Sequence, residues 1–500
     1  MQVHSRGSRA RWLSTVSMLA VLLSAEAASA DTLNAALAEA YQNNPTLNAE
    51  RARLRATDEE LAKAQSGYRP SLDVSGDYGV QSLESSVKPP RLASGKAPSP
   101  AQIAANEASF RRYDGQTNPG GYTVSFSQPL FEGFRTVNAV KSADAQIMAE
   151  RAALVDTEQK TLLDTTRAYM DVLRDSATVN LRQSSLRLFT NEAKATGERF
   201  AAGEMTRTDV AQSAARQSEA VAALELAKAV LRNSLAEYER LVGHIPTRVT
   251  DPIGFERVLP SKLDDAVRIA MASNPQVLQA AYLESASQHE IRKILGEMLP
   301  DIRLQAQHNE RFESSTLMNQ QVSQSVTARV NVPIYQSGEV EARVRQAKQQ
   351  HQGRLQDVEA ARARARSAAI GAFAQVEAQR AQQAAVRLQV QALGQSLAGV
   401  REEQKAGART LLDVLNAEQE EVNAKISALR ARHDMVIASY VLLQAMGRLT
   451  APDLGLDVQL YNVERHYNET NRKWSGVSIE RETGYAGAAS PWGAQLEPAR

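Results

Sequence analysis

LNAALAEAYQNNP at 33–45 and LDDAVRIAMASNP at 263–275 decide the fold, because the second stretch repeats the first. Leu33, Ala36, Leu37, Ala40 and Tyr41 recur at helical spacing, and Leu263, Ala266, Val267, Ala270 and Met271 fill the same template. Each stretch ends on Asn-Pro, at Asn44-Pro45 and Asn274-Pro275. Asn caps a helix start and Pro fits its first position, so a second helix is expected to begin at each pair. Such self-similarity at long range marks an internally duplicated chain.

The offset between the copies is 230 residues through Arg69-Pro70 and Leu299-Pro300. It then becomes 204 and stays there: Pro129-Leu130-Phe131 matches Pro333-Ile334-Tyr335, Ala202-Gly203 matches Ala406-Gly407, Asp209-Val210 matches Asp413-Val414, and Gly243 matches Gly447. The first copy therefore carries 26 extra residues between Pro70 and Pro129. Lys88-Pro89-Pro90, Pro98-Ser99-Pro100 and Asn118-Pro119-Gly120-Gly121 give that interval the chemistry of a loop. A constant register beyond it implies a mechanical constraint on length.

After Pro70, Leu72, Val74, Gly76, Tyr78 and Val80 alternate with polar residues, as do Tyr122, Val124 and Phe126 before Pro129. In the second copy Ile302, Leu304 and Ala306 alternate, and so do Val326, Ala328, Val330 and Val332. Period two with one apolar face is a half-buried strand. Four strands are expected, over about 71–81, 122–131, 301–310 and 324–335, with a surface loop at 82–121. Each is close to the length of a tilted membrane-spanning strand.

The rest reads as helix. From Phe134 to Phe200 and from Glu339 to Gln404 there is no proline. Each run would be roughly 100 Å long at 1.5 Å per residue. Each then meets a Gly turn and returns. On the second return Leu415, Val422, Leu429, Val436 and Leu443 fall at steps of seven, with Leu412, Ile426 and Tyr440 beside them and Gln419 and His433 interrupting. On the first return Val210, Leu224, Leu231 and Tyr238 fall at the same steps. Such a seam needs partner helices.

Composition narrows the function. The 500 residues hold 58 Lys+Arg and 57 Asp+Glu, a net charge of +1, which gives no support for a nucleic-acid partner. There is no cysteine, which removes disulfides, thiol catalysis, zinc ribbons and an N-terminal lipidation site. His4, His244, His289, His308, His351, His433 and His466 are scattered without metal-ligand spacing. No phosphate loop or nucleophile elbow is present, so no catalytic residue, cofactor or metal is expected. Arg362, Arg364 and Arg366 read as a solvated helix face, with a patch facing a partner protein as the alternative.

At the N-terminus Arg6, Arg9 and Arg11 precede a short apolar stretch from Trp12 to Ala25 and the small-residue site Ala28-Ser29-Ala30. This is the pattern of an export signal, with cleavage expected before Asp31 and Ala27 as a second site. The domain reading is a signal peptide at 1–30, a first repeat at 31–250, a second at 251–455, and a polar tail at 456–500 in which Tyr461, Tyr467 and Trp474 are candidate anchors. Four strands cannot close a barrel, and open strand edges are not tolerated in lipid, so two or more chains are required.

The order of elements, performed twice, resembles the TolC family of outer-membrane efflux proteins. The resemblance covers about 31–455 and rests on QPLFEGF at 128–134, VPIYQSG at 332–338, RFAAGEMTRTDV at 199–210 and KAGARTLLDVLNAEQ at 405–419. It implies an α+β, mainly α fold. Four strands per chain make a twelve-stranded outer-membrane β-barrel in a homotrimer, continued by a long periplasmic α-helical barrel. It also implies an exit duct for protein or small-molecule cargo, working with a periplasmic adaptor and an inner-membrane ABC, RND or MFS transporter. At the periplasmic gate, Asp413 matches the first of two family aspartates, while the second falls on Asn416. Arg409 matches an arginine that links to the neighbouring first-repeat turn, where Thr208 and Asp209 match its partners. Gln404 stands where the family has a tyrosine, and Gly203 and Gly407 match the tips near which adaptor helices dock.

Two rival readings differ in architecture. A periplasmic coiled-coil adaptor or structural protein without a membrane barrel would carry β-rich domains outside one hairpin, whereas this chain has two similar helical units with strand pairs. An enzyme on a helical scaffold would need a catalytic set.

Overall fold

The computed structural model describes residues 31–86, 99–101, 104, 112–253, 259–315 and 318–479. The export signal at 1–30, most of the loop at 82–121 and the tail beyond 479 lie outside these residues. The first copy runs α1 (Leu33–Asn43), α2 (Pro45–Gln65), β1 (Ser71–Tyr78), β2 (Gln81–Ser86), β3 (Arg112–Thr117), β4 (Gly120–Glu132), α3 (Arg135–Ala201) and α4 (Arg207–Val242). The second runs α5 (Leu263–Ser273), α6 (Pro275–Leu295), β5 (Asp301–Ser315), β6 (Met318–Asn331), α7 (Glu339–Lys405) and α8 (Leu411–Ala445), and α9 (Val463–Arg472) follows.

The Asn-Pro pairs do what their chemistry suggests, and more. Asn44 Oδ1 accepts from the Thr46 N–H at 2.9 Å, and Asn274 Oδ1 accepts from the Gln276 N–H at 3.0 Å. The other end of each amide reaches across the fold. Asn44 Nδ2 donates to the Leu241 carbonyl near the end of α4, and Asn274 Nδ2 donates to the Ala445 carbonyl at the end of α8. One side chain thus starts a helix and satisfies an orphan carbonyl of the return helix.

Strands β1, β4, β5 and β6 form one antiparallel sheet in that order. The register sorts the two faces. One row aligns Leu72, Phe126, Ala306 and Val326, while the next aligns Asp73, Ser125, Gln307 and Ser325. A further row aligns Ser75, Thr123, Asn309 and Ser323. The polar rows run across all four strands, while the apolar face is broken where the Val74–Val124 row continues into His308 and Gln324. The spans differ from the sequence expectation in several places: β1 ends at Tyr78, β5 runs on to Ser315 and β6 begins at Met318. Strands β2 and β3 pair inside the interval expected to be loop, extending the first hairpin outward; their polar runs, such as Gln81-Ser82 and Gly115-Gln116, carry no alternation to read. The fourth strand stops at Asn331, because Pro333 lacks an amide to donate and Ser337-Gly338 turn the chain with positive φ.

Helices α3 and α7 each contain 67 residues, about 100 Å of helix. The main core sits part-way along them, where α1, α2, α3, α4 and α8 bury Leu37, Leu162, Tyr169, Tyr238, Val436 and Leu442. The seven-residue seam follows: Leu415, Val436 and Leu443 are buried on α8, as are Leu224 and Tyr238 on α4. Leu412 departs from it and is exposed. His433 interrupts the seam because it bridges two carboxylates, with Nε2 3.1 Å from Asp171 on α3 and Nδ1 2.8 Å from Asp434.

The segment expected to be a polar tail contains α9, which docks on α2 and α3. His466 Nδ1 lies 3.0 Å from Asp58, which is almost wholly buried, and Tyr467 donates to Asp144 at 3.0 Å. Burial pushes the Asp58 carboxyl above its ordinary range, and His466 offsets part of that.

Candidate functional site

Two ends of the molecule carry chemistry: the sheet and the tips of the helical hairpins. The sheet has two open edges, β1 and β6. Leu72, Val74, Val326 and Val330 lie on its apolar face and stay largely exposed in one chain. At the helix-side end of the strands a second set of exposed apolar residues gathers. Tyr68 precedes β1, Leu130 and Phe134 border the end of β4, Leu299 precedes β5, and Ile334 and Tyr335 follow β6. An apolar band bordered by aromatic residues at the water boundary is the surface of a membrane barrel.

The strand-to-helix junctions are built on paired left-handed residues. Gly133 and Phe134 have φ of 60° and 61°, and Ser337 and Gly338 have 55° and 80°. The reversals align both long helices with their hairpins. No helix among the described residues is long and apolar enough to cross a membrane.

The tips repeat one another. Thr206 caps α4: its hydroxyl accepts from the Asp209 N–H at 3.2 Å, and Asp209 Oδ2 accepts from the Thr206 N–H at 3.0 Å. Thr410 caps α8 in the same way, with Asp413 N–H to Thr410 Oγ1 at 3.3 Å and Thr410 N–H to Asp413 Oδ2 at 2.9 Å. These are capping boxes. The Thr-x-x-Asp spacing at 206–209 and 410–413 was the available sequence signal for them. The Thr410 N–H and hydroxyl hold the Asp413 carboxyl below its ordinary range, with a small contribution from Arg409. Asp413 therefore carries full charge at neutral pH, but one of its oxygens is turned back to its own helix start. Asp209 is held down in the same manner by Thr206.

The other gate candidates are dispersed within one chain. Arg409 pairs with Glu403 of its own tip at 2.8 Å, while Thr208 is exposed on the other tip. Gln404 lines a groove with Leu188, Glu192, Arg401 and Val414. Gly203 and Gly407 have φ of 84° and 79° and open space where a Cβ would stand, so each supplies the left-handed turn that ends its long helix. Asn416 has a partner that spacing did not reveal: its Oδ1 accepts from Arg216 Nη2 at 2.8 Å. That bond joins the return helix of the first copy to that of the second. Beneath it Phe189, Ala220, Leu411 and Leu415 form a small apolar cluster joining α3, α4 and α8. Arg401 pairs with the buried Glu418 at 2.8 Å, closing the second hairpin. Burial raises the Glu418 carboxyl, and Arg401 lowers it in part.

A membrane sheet open at both edges, continued by two helical hairpins of equal reach, defines a subunit of a barrel-and-tunnel channel. The family model for outer membrane efflux proteins matches residues 36–244 and 266–448. The chain is 37% identical over 458 residues to the outer membrane efflux protein BepC of Brucella suis, covering 91% of this chain and 94% of that one. It is 26% identical over 347 residues to the alkaline protease secretion protein AprF of Pseudomonas aeruginosa, covering 67% of this chain and 71% of that one. The crystal structure of the outer membrane protein VceC from Vibrio cholerae superposes with a TM-score of 0.66 at 20% identity, covering 83% of this chain and 96% of that one. The chain belongs to the outer membrane efflux protein family. It is an outer-membrane channel protein of the TolC type, and not an enzyme.

Proposed function

We propose that three copies of this chain close a twelve-stranded barrel and a helical tunnel, forming the exit duct of a tripartite export system. The observation that carries this reading is the duplication in length: two 67-residue helices start at matched strand ends and finish at matched capping boxes. Equal reach is needed only if both tips meet at one entrance. Two open sheet edges require neighbours in lipid. Leu226 on α4 and Leu388 on α7, 68% and 67% exposed, supply apolar surface for those neighbours away from the membrane. In this reading the tips around Gly203 and Gly407 dock a periplasmic adaptor, which hands over cargo from an inner-membrane ABC, RND or MFS transporter. The likeness to a protease secretion protein favours protein cargo among the alternatives.

The entrance is closed by three elements in this reading. Three copies of Asp413 place negative charge around the pore, where low-dielectric walls focus the field. Arg409 reaches the neighbouring first-repeat turn at Thr208 and Asp209, exchanging its Glu403 partner for them. Asn416, held by Arg216, latches the two return helices of one chain together in place of a second acidic ring.

The test is single-channel conductance in planar bilayers. Arg216→Ala and Asn416→Ala should each raise resting conductance several-fold. The double variant should add little, since both remove one bond. Asn416→Asp keeps a partner for Arg216 and should deepen block by divalent cations. Unchanged conductance in both alanine variants would remove this latch from the gate.

A further inference from the structure

The C-terminal strap has a direction that its core-docking role does not require. It climbs α2 toward the barrel: Glu464 meets Arg151, Tyr467 meets Asp144, Asn471 meets Gln65, and Trp474 meets Arg69. Positions 151 and 144 on α3 step toward its barrel end at Arg135, and positions 65 and 69 step toward β1 at Ser71. The Arg69 guanidinium stacks over the Trp474 ring at 5.0 Å, and its Nη1 donates to the Trp474 carbonyl at 3.3 Å. Trp474 is thereby fixed beside a residue that stands two positions before the first membrane strand.

At that level the strap turns apolar and stays uncovered. Trp474 is 70% exposed, Ile479 is 84% exposed, and Val477 between them is fully exposed. The Lys473 ammonium donates to the Ser478 carbonyl, folding the segment back on itself. The same level holds the exposed Tyr68, Leu299, Ile334 and Tyr335 at the base of the strands. Tryptophan favours this depth, with its ring in the headgroup layer.

We propose that Trp474–Ile479 is a peripheral membrane anchor that enters the periplasmic leaflet of the outer membrane and fastens the outside of the helical barrel to the bilayer. The occupant is phospholipid, because the patch is continuous with the lipid-facing base of the barrel and is flanked by Arg472 and Lys473. The anchor joins bilayer and core: a load on α9 passes through His466 to the buried Asp58 and so to α2. The inference rests on the sheet being the membrane barrel.

The experiment uses the full channel in vesicles of phosphatidylethanolamine and phosphatidylglycerol. After removal of residues 1–30, Trp492→Phe leaves Trp474 as the single tryptophan. Its emission should be blue-shifted relative to hydrated indole. Lipid brominated near the headgroup end of the acyl chain should quench most of it, and lipid brominated near the chain end should quench it weakly. Val326→Trp in a Trp474→Phe, Trp492→Phe background reports the barrel face and should be quenched as well. Hydrated emission from Trp474, or blue-shifted emission untouched by brominated lipid, overturns the anchor; the second result would place a neighbouring protein surface over it. Quenching at 326 alone would leave the barrel standing without the anchor, and no quenching at either position would overturn both.

Discussion

Gly447→Ala should lower the unfolding free energy by on the order of 4 kcal/mol and prevent assembly, whereas Gly243→Ala should cost about 1–2 kcal/mol. The two glycines are equivalent positions of the duplicated chain, each just past the end of a return helix, with φ of 73° and 107°. A left-handed conformation penalises any L-residue at both, which sets the smaller cost. The difference is the neighbour. A Cβ at Gly447 would stand 2.2 Å from the Ser273 carbonyl oxygen and 2.7 Å from its carbon, and Gly243 has open space there. Ser273 ends α5, and the next residue, Asn274, binds the Ala445 carbonyl. Pushing that backbone away would break the bond that seats the second Asn-Pro cap. The midpoint of urea unfolding, followed by far-UV circular dichroism, measures both variants. Equal shifts would mean that the close approach costs nothing beyond the turn.

Gly133→Ser should be as damaging, though serine is what the second copy uses at the matching position. Ser337 has φ of 55°, almost the same as Gly133. The left-handed turn alone therefore does not require glycine. What requires it is the crossing of the two copies, where a Cβ on Gly133 would meet the Gly296 carbonyl oxygen at 2.2 Å and the Leu299 Cβ at 2.9 Å. The approach is mutual, since a Cβ on Gly296 would lie 2.3 Å from the Gly133 carbonyl oxygen. This is where the barrel is set on the tunnel, so strain here should tilt one hairpin against the other. We expect a loss on the order of 4 kcal/mol and little or no heat-modifiable oligomer in the outer-membrane fraction. Wild-type amounts of oligomer would show that the junction can relax.

These pairs also show what the sequence could convey. Duplication, strand alternation and helix length are statements about repeated chemistry along one chain, and all were legible from Asn44-Pro45, Leu72–Val80 and the proline-free runs. The asymmetries were not. Nothing local to Gly133 or Gly447 says that a distant backbone passes within van der Waals range. The Arg216–Asn416 bond joins residues 200 apart and follows no spacing rule. The strap was obscured by its composition: α9 is mostly polar, and it docks by ion pairs and the Arg151–Tyr467 stack, with only Val463 and Tyr467 packed on the core. The capping role of Asp413 is legible in Thr410-x-x-Asp413. One carboxylate serves as cap and as pore charge in the proposed gate, since a capping aspartate still presents its charge.

In the proposed assembly this chain closes a membrane channel only in company. Native mass spectrometry of the protein released from outer membranes in mild detergent tests it most directly. The expected species contains three mature chains and survives until heated. A single mature chain recovered from the soluble periplasmic fraction, with its sheet edges unpaired, would contradict it.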